Sequence, residues 1–274
     1  MGAELRAALA IARKDIRTMF RYRIAVVGLV FNPLYQGVIP AFLFGASFAV
    51  AGRVTGLETT VGSGDLAGFI FLGGVISGLV AFSFWAMAFG LRMEMDNGTL
   101  EPSWLTPTRR DTLLLGRAIY AVALFLLSQA ALFVVGIAFF GLRIDWSIVL
   151  ALPALGMALA AMVGVAYMVA AVVLLMREAN FFVDTANFLF SVASGVAFPI
   201  TLLPGAFQAV AILLPTTYAV DILRAYTIGT RPLLDLTLEH VVLLGLTLLL
   251  FPVGRAAFNA ADRRLRVTGG IGQH

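Results

Sequence analysis

Side chains suited to acid–base, nucleophilic or metal chemistry are few in this sequence and poorly spaced for it. It holds two histidines, His240 and His274, and no cysteine. No disulfide, thiolate metal site or cysteine nucleophile is therefore possible. HExxH and GxSxG are both absent, and His240 stands at the edge of a long apolar block, where it reads as an interfacial residue rather than a ligand. Lys14 is the single lysine, and no GxxxxGK element followed by Ser or Thr surrounds it. The chain cannot bind and hydrolyse a nucleotide through a phosphate loop. No two carboxylates fall together inside an apolar run; nearly every acid marks the end of one. Polar chemistry is concentrated instead in one stretch, Glu94 to Arg110, whose residue types suit binding rather than bond-making.

The elements that must position that stretch are apolar. The 274 residues are 61% hydrophobic and 12% charged, against about 25% charged in a soluble domain. Uncharged runs cover 24–52, 66–91, 118–142, 146–176 and 185–220, and a sixth apolar block, Leu233 to Phe258, carries charges only near its ends, Asp235 and Glu239 at the start and Arg255 close to the finish. About 20 helical residues cross the hydrocarbon core. The runs predict spans at about 24–50, 66–91, 116–140, 147–176, 181–199 and 234–257. Residues 1–23 are charged throughout and are not read as a cleavable secretory signal; the span after Arg23 is read as an uncleaved anchor. When the loops are assigned alternately to two sides, 15 of the 19 Lys and Arg fall on the side of the N-terminus. The positive-inside rule then puts both termini in the cytoplasm. The net charge of +4 reflects those loops and is no sign of nucleic-acid binding.

Residues 1–23 are expected to form a cytoplasmic amphipathic interfacial helix. Leu5, Leu9, Ala12, Ile16 and Phe20 share one helical face, and Arg6, Arg13, Lys14, Arg17 and Arg21 the next; a plain basic flank to the first span is the blander reading. In span one, Asn32, Pro33, Gln36 and Pro40 are substrate contacts or interhelical hydrogen bonds, with the second favoured. In span two, Gly74 and Gly78 form a GxxxG pair that permits close helix approach. The uncharged run 185–220 is too long for one span and too short for two, and Pro199, Pro204 and Pro215 punctuate it. We read it as span five followed by a re-entrant helical hairpin around 204–214. A cytoplasmic tail, 259–274, closes the chain. The expected fold is an all-α membrane protein with six transmembrane helices, a domain of residues 24–258.

The stretch after span two reads Glu94-Met95-Asp96-Asn97-Gly98-Thr99-Leu100-Glu101-Pro102-Ser103-Trp104-Leu105-Thr106-Pro107-Thr108-Arg109-Arg110. Gly98 permits a sharp turn, and Thr99 can cap the following helix. Leu100, Trp104 and Leu105 offer an apolar patch among the charges of Glu94, Asp96, Glu101, Arg109 and Arg110, a pattern that marks a partner surface; a solvated loop covering helix ends is the alternative. This stretch resembles the cytoplasmic signature of type-two ABC exporter permeases: an acid, Gly-Thr-Leu-Glu, then Leu-x-x-Pro-x-x-Arg and a helix into span three. A second similarity is the segment Phe198-Pro199, Leu203-Pro204, Leu214-Pro215-Thr216-Thr217-Tyr218 and Asp221-Ile222-Leu223-Arg224, like the proline-punctuated stretch such permeases carry between spans five and six. Pro102 departs from the family pattern, which continues a helix there; proline is tolerated in a first helical turn.

The resemblance implies the permease subunit of an ATP-driven exporter in the inner membrane of a bacterial or archaeal cell, moving an amphiphilic drug, lipid, glycan or peptide outward. Two separate ATPase subunits would bind ATP and Mg, so the chain itself needs no cofactor and is not an enzyme. A second permease copy or a homologous permease would complete the pathway. The resemblance makes Glu94, Gly98, Thr99, Leu100, Glu101, Trp104, Leu105, Pro107 and Arg109 the ATPase-coupling loop, and Pro199, Pro204, Pro215 and Tyr218 the re-entrant segment. Two other classes compete. A membrane enzyme acting on lipids needs ionisable groups converging inside the bilayer. An ion-coupled carrier commonly shows matched broken helices in two halves, and the breaks here, in spans one and five, lack that symmetry.

Overall fold

The computed structural model describes residues 2–34, 38–49, 54–99, 102–103, 105–106, 108–176 and 179–268. Among these the chain is helical with no strand. In chain order the helices are α1 (Gly2–Arg21), α2 (Arg23–Pro33), α3 (Ile39–Ala46), α4 (Thr55–Val61), α5 (Leu66–Asp96), α6 (Arg110–Phe140), α7 (Ile148–Leu175), α8 (Ala179–Ala193), α9 (Gly205–Ala211), α10 (Pro215–Ile228) and α11 (Leu236–Thr268). Four of them, α5, α6, α7 and residues Leu236–Leu265 of α11, are long and apolar enough to cross a membrane; α9 and α10, bent by 87° at their junction, make a fifth if the pair counts as one span.

The charge-free runs therefore locate α5, α6 and α7, and the last apolar block locates α11, which continues past 257 to Thr268. The expected first span is represented by two short helices, α2 and α3, with residues 35–37, Gln36 among them, outside the described set. The expected fifth span ends early: α8 is 15 residues, about 22 Å at 1.5 Å per residue, against a hydrocarbon core of about 30 Å. Ser194 and a left-handed Gly195 (φ 72°) turn the chain out of the helix before Pro199.

Local chemistry explains the ends that matter for the site. Asp65 caps α5 by accepting from the Gly68 amide at 3.0 Å. Pro215 stands in the first turn of α10, where the missing N–H costs nothing. Within α5, Ser83–Phe89 is wound as a π-helix, a rare form found mostly at functional positions.

Packing centres on α5 and α7. In the most apolar stretch of α5, 72% of residues are buried, against 17% for α11, which leans on α7 and turns most of its surface outward. Small residues set the closest crossings. Gly164 of α7 and Gly254 of α11 meet backbone to backbone: a methyl group on Gly254 would lie 1.9 Å from the Gly164 carbonyl oxygen. The GxxxG pair of α5 takes α6 side chains, Leu132 against Gly74 and Gln129 against Gly78.

Helix α1 lies across the start of α6. A methyl group on Gly116 would sit 2.9 Å from the Ala8 carbonyl, Ala8 and Ala12 are buried, and Thr112 donates a hydrogen bond to Glu4. The helix thus has three faces where the sequence suggested two. Glu4, Ala8 and Ala12 pack on α6. Leu5, Leu9 and Phe20 remain about half exposed, and the arginines lie beyond them. Ala12, expected on the outward stripe, belongs to the packed face.

Candidate functional site

Two features stand out, a turn between α5 and α6 and a chamber beside α5. The turn begins where α5 stops at Asn97. Gly98 is left-handed (φ 65°), its N–H reaches the Met95 carbonyl, and the Thr99 N–H reaches that of Glu94 at 2.9 Å. This double closure is a Schellman cap, which only glycine enters without strain. The Thr99 hydroxyl also turns back toward the Glu94 carbonyl. Thr99 therefore finishes the preceding helix, where the sequence suggested that its side chain starts the next. Its carbonyl accepts from Ser103 instead.

Glu94 is held within the chain while staying partly exposed, its side chain 21% accessible. It forms an ion pair with Arg117, whose side chain is only 10% exposed and lies against Gly90, where a methyl group would fall 2.3 Å from a guanidinium nitrogen. Leu105 is 82% exposed, and Arg109 is the exposed residue ahead of α6. Leu100, Glu101, Trp104 and Pro107 lie outside the described residues. The framing helices are tied at the same end of the bundle. Arg110 pairs with Asp262, Asp111 with Arg255, and the Arg92 guanidinium reaches the Met176 carbonyl at 3.5 Å. The turn therefore hangs from a braced platform.

The chamber opens between α2–α3, α5 and α8, with a volume of about 1070 Å³. Its α5 wall includes Ile70, Gly74, Ser77, Gly78, Ala81 and Trp85, one side of a helix, and its α8 wall includes Asn187, Phe188 and Ser191. Among the described residues lining it none is charged. The same α5 that forms this wall ends in the Gly98 turn.

The proline-punctuated segment is tied to α5 by an arginine that the sequence placed among loop charges. Arg224 of α10 is 5% exposed. Its Nε and Nη2 donate to the Phe69 carbonyl at 3.2 and 2.9 Å, Nη1 to that of Gly195 at 2.8 Å, and Nη2 to that of Val196 at 2.5 Å. The guanidinium also stacks on the Phe69 ring, 3.4 Å from its centre. Pro199 precedes a short 3-10 turn, Pro204 precedes α9, and Pro215 opens α10. The Tyr218 hydroxyl donates to the Ile212 carbonyl at 2.8 Å, closing the α9–α10 bend. Residues 6–228, from α1 to the end of α10, match the family model described as ABC-2 type transporter. The chain belongs to the ABC-2 type transporter family. Among curated proteins none matches it.

The protein is accordingly the transmembrane permease component of an ABC transporter and a multi-pass membrane protein. Arg117, Arg224 and Gln129 of this permease were not singled out as site residues by sequence reasoning. The signal was present for the first two: each arginine interrupts apolar sequence on a helix instead of sitting in a turn, and a cation so placed must find partners. Asp221 and Glu239 are also brought side by side. Asp221 accepts from the Leu233 amide at 2.6 Å and Glu239 from the Leu234 amide at 3.0 Å, so this acid pair secures the α10–α11 loop of the permease at a span end.

The Glu94–Arg117 pair yields a direct test. Glu94→Ala and Arg117→Ala should each lower stability by about 2 kcal/mol, since each loses a charge-assisted hydrogen bond and strands its partner. The double variant should be little worse than either single one. Thermal unfolding of the three purified variants measures this, and strictly additive losses would mean the pair is not coupled.

Proposed function

We propose that this permease is the membrane half of an ATP-driven exporter and that the chamber is where its cargo enters. In this reading two permeases, identical or homologous, pair in a bacterial or archaeal inner membrane. Two ATPase subunits bind ATP and Mg and dock on the Glu94–Arg110 loop. Both termini are cytoplasmic. Segments 24–50 and 181–199 complete six spans, and 204–214 is a re-entrant hairpin shielded by protein. Residues 1–23 are an interfacial helix, 24–258 the membrane domain and 259–274 a tail.

One observation carries the proposal: α5 is a single helix that lines the chamber from Ile70 to Trp85 and ends in the capped turn of the coupling loop. A push on that turn shifts the chamber wall directly, and the ion pairs to α6 and α11 transmit it to their neighbours. The π-wound Ser83–Phe89 lies between the two and gives α5 a place to change register. The apolar, amphiphile-sized space suits lipid-like cargo, and α1, with its apolar and basic faces, suits a cytoplasmic membrane surface.

The test uses the loop itself. Glu101→Arg should weaken docking by charge reversal and Trp104→Ala by lost burial, each by about 2 kcal/mol or roughly 30-fold, as interface anchors do. Neither should disturb membrane insertion. Co-purification of the ATPase and cargo-stimulated ATP hydrolysis read both effects; full binding and full stimulation in both variants would remove this loop as the coupling element.

A further inference from the structure

Helix α1 keeps its acids and its arginines on opposite sides. Its seat on α6 is close: a methyl group on Gly116 would lie 2.9 Å from the Ala8 carbonyl and 2.8 Å from Ile11. Both acids of α1 belong to that side. Glu4 accepts from Thr112. Asp15, on the helical line of Glu4 and Ala8, has a side chain only 19% exposed and pairs with Lys14 at 3.0 Å. Arg6, Arg13 and Arg17 fall on the far side of the helix, and they are exposed, as are Arg21 and Arg23. Among the described residues none of these five arginines is paired with a carboxylate. Between the seat and the arginines runs the half-exposed stripe of Leu5, Leu9 and Phe20, with Tyr22 exposed where the helix ends.

Such a face asks for a partner that takes apolar and cationic side chains next to each other. A nucleic acid would pair the arginines and leave the apolar stripe in water. The boundary between acyl chains and headgroups takes both: the stripe enters the chain region, and the guanidinium groups reach the phosphates beside it. Of the six Lys and Arg in residues 1–23, five are arginine, whose planar fork matches phosphate oxygens two at a time. A zwitterionic headgroup balances its own phosphate with a cation. A headgroup of net negative charge does not, so each arginine held near it gains about fivefold in binding, or about 1 kcal/mol. The seat on α6 orients the helix in advance, so the arginines meet the headgroups as a set without a further ordering cost.

We propose that the outward face of α1 is a docking surface for anionic phospholipid, with Arg6, Arg13 and Arg17 holding the headgroups and Leu5, Leu9 and Phe20 entering the chains below them. This rests on the reading of residues 1–23 as an interfacial helix and adds the lipid class that the helix selects. The seat places bound lipid beside the start of α6, where Arg110 and Asp111 brace the platform of the coupling turn.

The chain has no cysteine, so Ala10→Cys gives a single labelling site. Ala10 is exposed and lies one turn from Arg6, Arg13 and Lys14. The full-length protein, carrying a fluorophore there, is placed in phosphatidylcholine vesicles containing an equal small fraction of either phosphatidylcholine or phosphatidylglycerol with a nitroxide high on one chain. Quenching should report a preference for phosphatidylglycerol of about fivefold or more. The preference should collapse toward one as salt rises from about 0.1 to about 1 M, which shortens the screening length from about 10 to about 3 Å. Arg13→Gln with Arg17→Gln should cut it by about fivefold or more. Arg143→Gln with Arg231→Gln, the same change of charge at exposed positions away from α1, should leave it unchanged. The lipid comparison needs none of these variants, so it stands even if one fails to fold. Equal quenching by the two lipids, or a preference that survives Arg13→Gln with Arg17→Gln, overturns the selection of anionic lipid and leaves α1 an interfacial helix. Quenching by neither lipid overturns the interfacial reading and this proposal with it, and leaves the face to a protein partner.

Discussion

Arg224→Leu is expected to leave the permease largely unfolded in mild detergent, with Arg224→Lys falling between it and the native protein. The guanidinium closes a gap that the backbone cannot. After α8 ends at Ala193 the chain unwinds through Gly195 and Val196, and among the described residues no backbone N–H is paired with either carbonyl. Arg224 supplies both partners and joins them to the Phe69 carbonyl of α5. Removal strands those carbonyls away from water at about 1–3 kcal/mol each, and it also removes the stacking on Phe69. Leucine is apolar enough for the site, so burial is not the issue; the loss is of donors. Lysine keeps a charge but lacks the planar fork that spans two acceptors. Arg231, exposed in the following loop, is the control, and Arg231→Leu should be nearly silent. Thermal stability by fluorescence-detected gel filtration ranks the four proteins. If the Arg224→Leu and Arg231→Leu variants melt together, the arginine of α10 is not what holds the broken segment.

The contrast between that arginine and the long helices shows what the sequence could disclose. Long apolar runs locate α5, α6, α7 and α11 because a helix that crosses hydrocarbon must be apolar over about 20 residues, a one-dimensional constraint written in composition. The Gly98 turn was legible for a similar reason: a left-handed cap at the end of a helix requires glycine. Arg224 was not legible as a buried group. Its partners are the carbonyls of Phe69, Gly195 and Val196, and a carbonyl carries no residue type to recognise. Gln129 was hidden by the same logic in reverse, since its place is set by the absence of a side chain at Gly78. The break at the end of α8 was half visible. Pro199 announced a stop, but Ser194 and Gly195 end the helix sooner, and a run without charges looks continuous whether or not the helix is. On α1 the periodicity showed an apolar stripe and a basic one. It could not show that Ala8 and Ala12 are claimed by α6, because alanine suits a packed crossing as well as a lipid face.

Gly254→Leu is expected to separate α11 from α7, while Gly245→Leu, nine residues earlier on the same helix, is expected to leave the fold intact. Both glycines lie in the apolar part of α11, so hydropathy gives no reason to treat them differently. Space does. Any side chain at Gly254 begins 1.9 Å from the Gly164 carbonyl oxygen, whereas nothing lies within 4 Å of a side-chain carbon at Gly245. The obstacle at Gly254 is backbone, which cannot rotate aside as a side chain would. Overpacking a core costs about 1–3 kcal/mol when side chains can yield, and this site should exceed that range. The displacement would also break the hydrogen bond from the Thr247 hydroxyl to the Met157 carbonyl, 3.0 Å long, and pull Phe251 and Phe258 from the edges of Tyr167. Because α11 is mostly outward-facing, what else holds it is chiefly at its ends, in the Arg110–Asp262 and Asp111–Arg255 pairs. Leucine at Gly245 meets open space and favours the helix over glycine by up to about 1 kcal/mol. The comparison is made by thermal melting of both variants, with protease access to the Asp262 end as a second readout. Equal tolerance of leucine at the two positions would mean that α7 and α11 do not cross backbone to backbone.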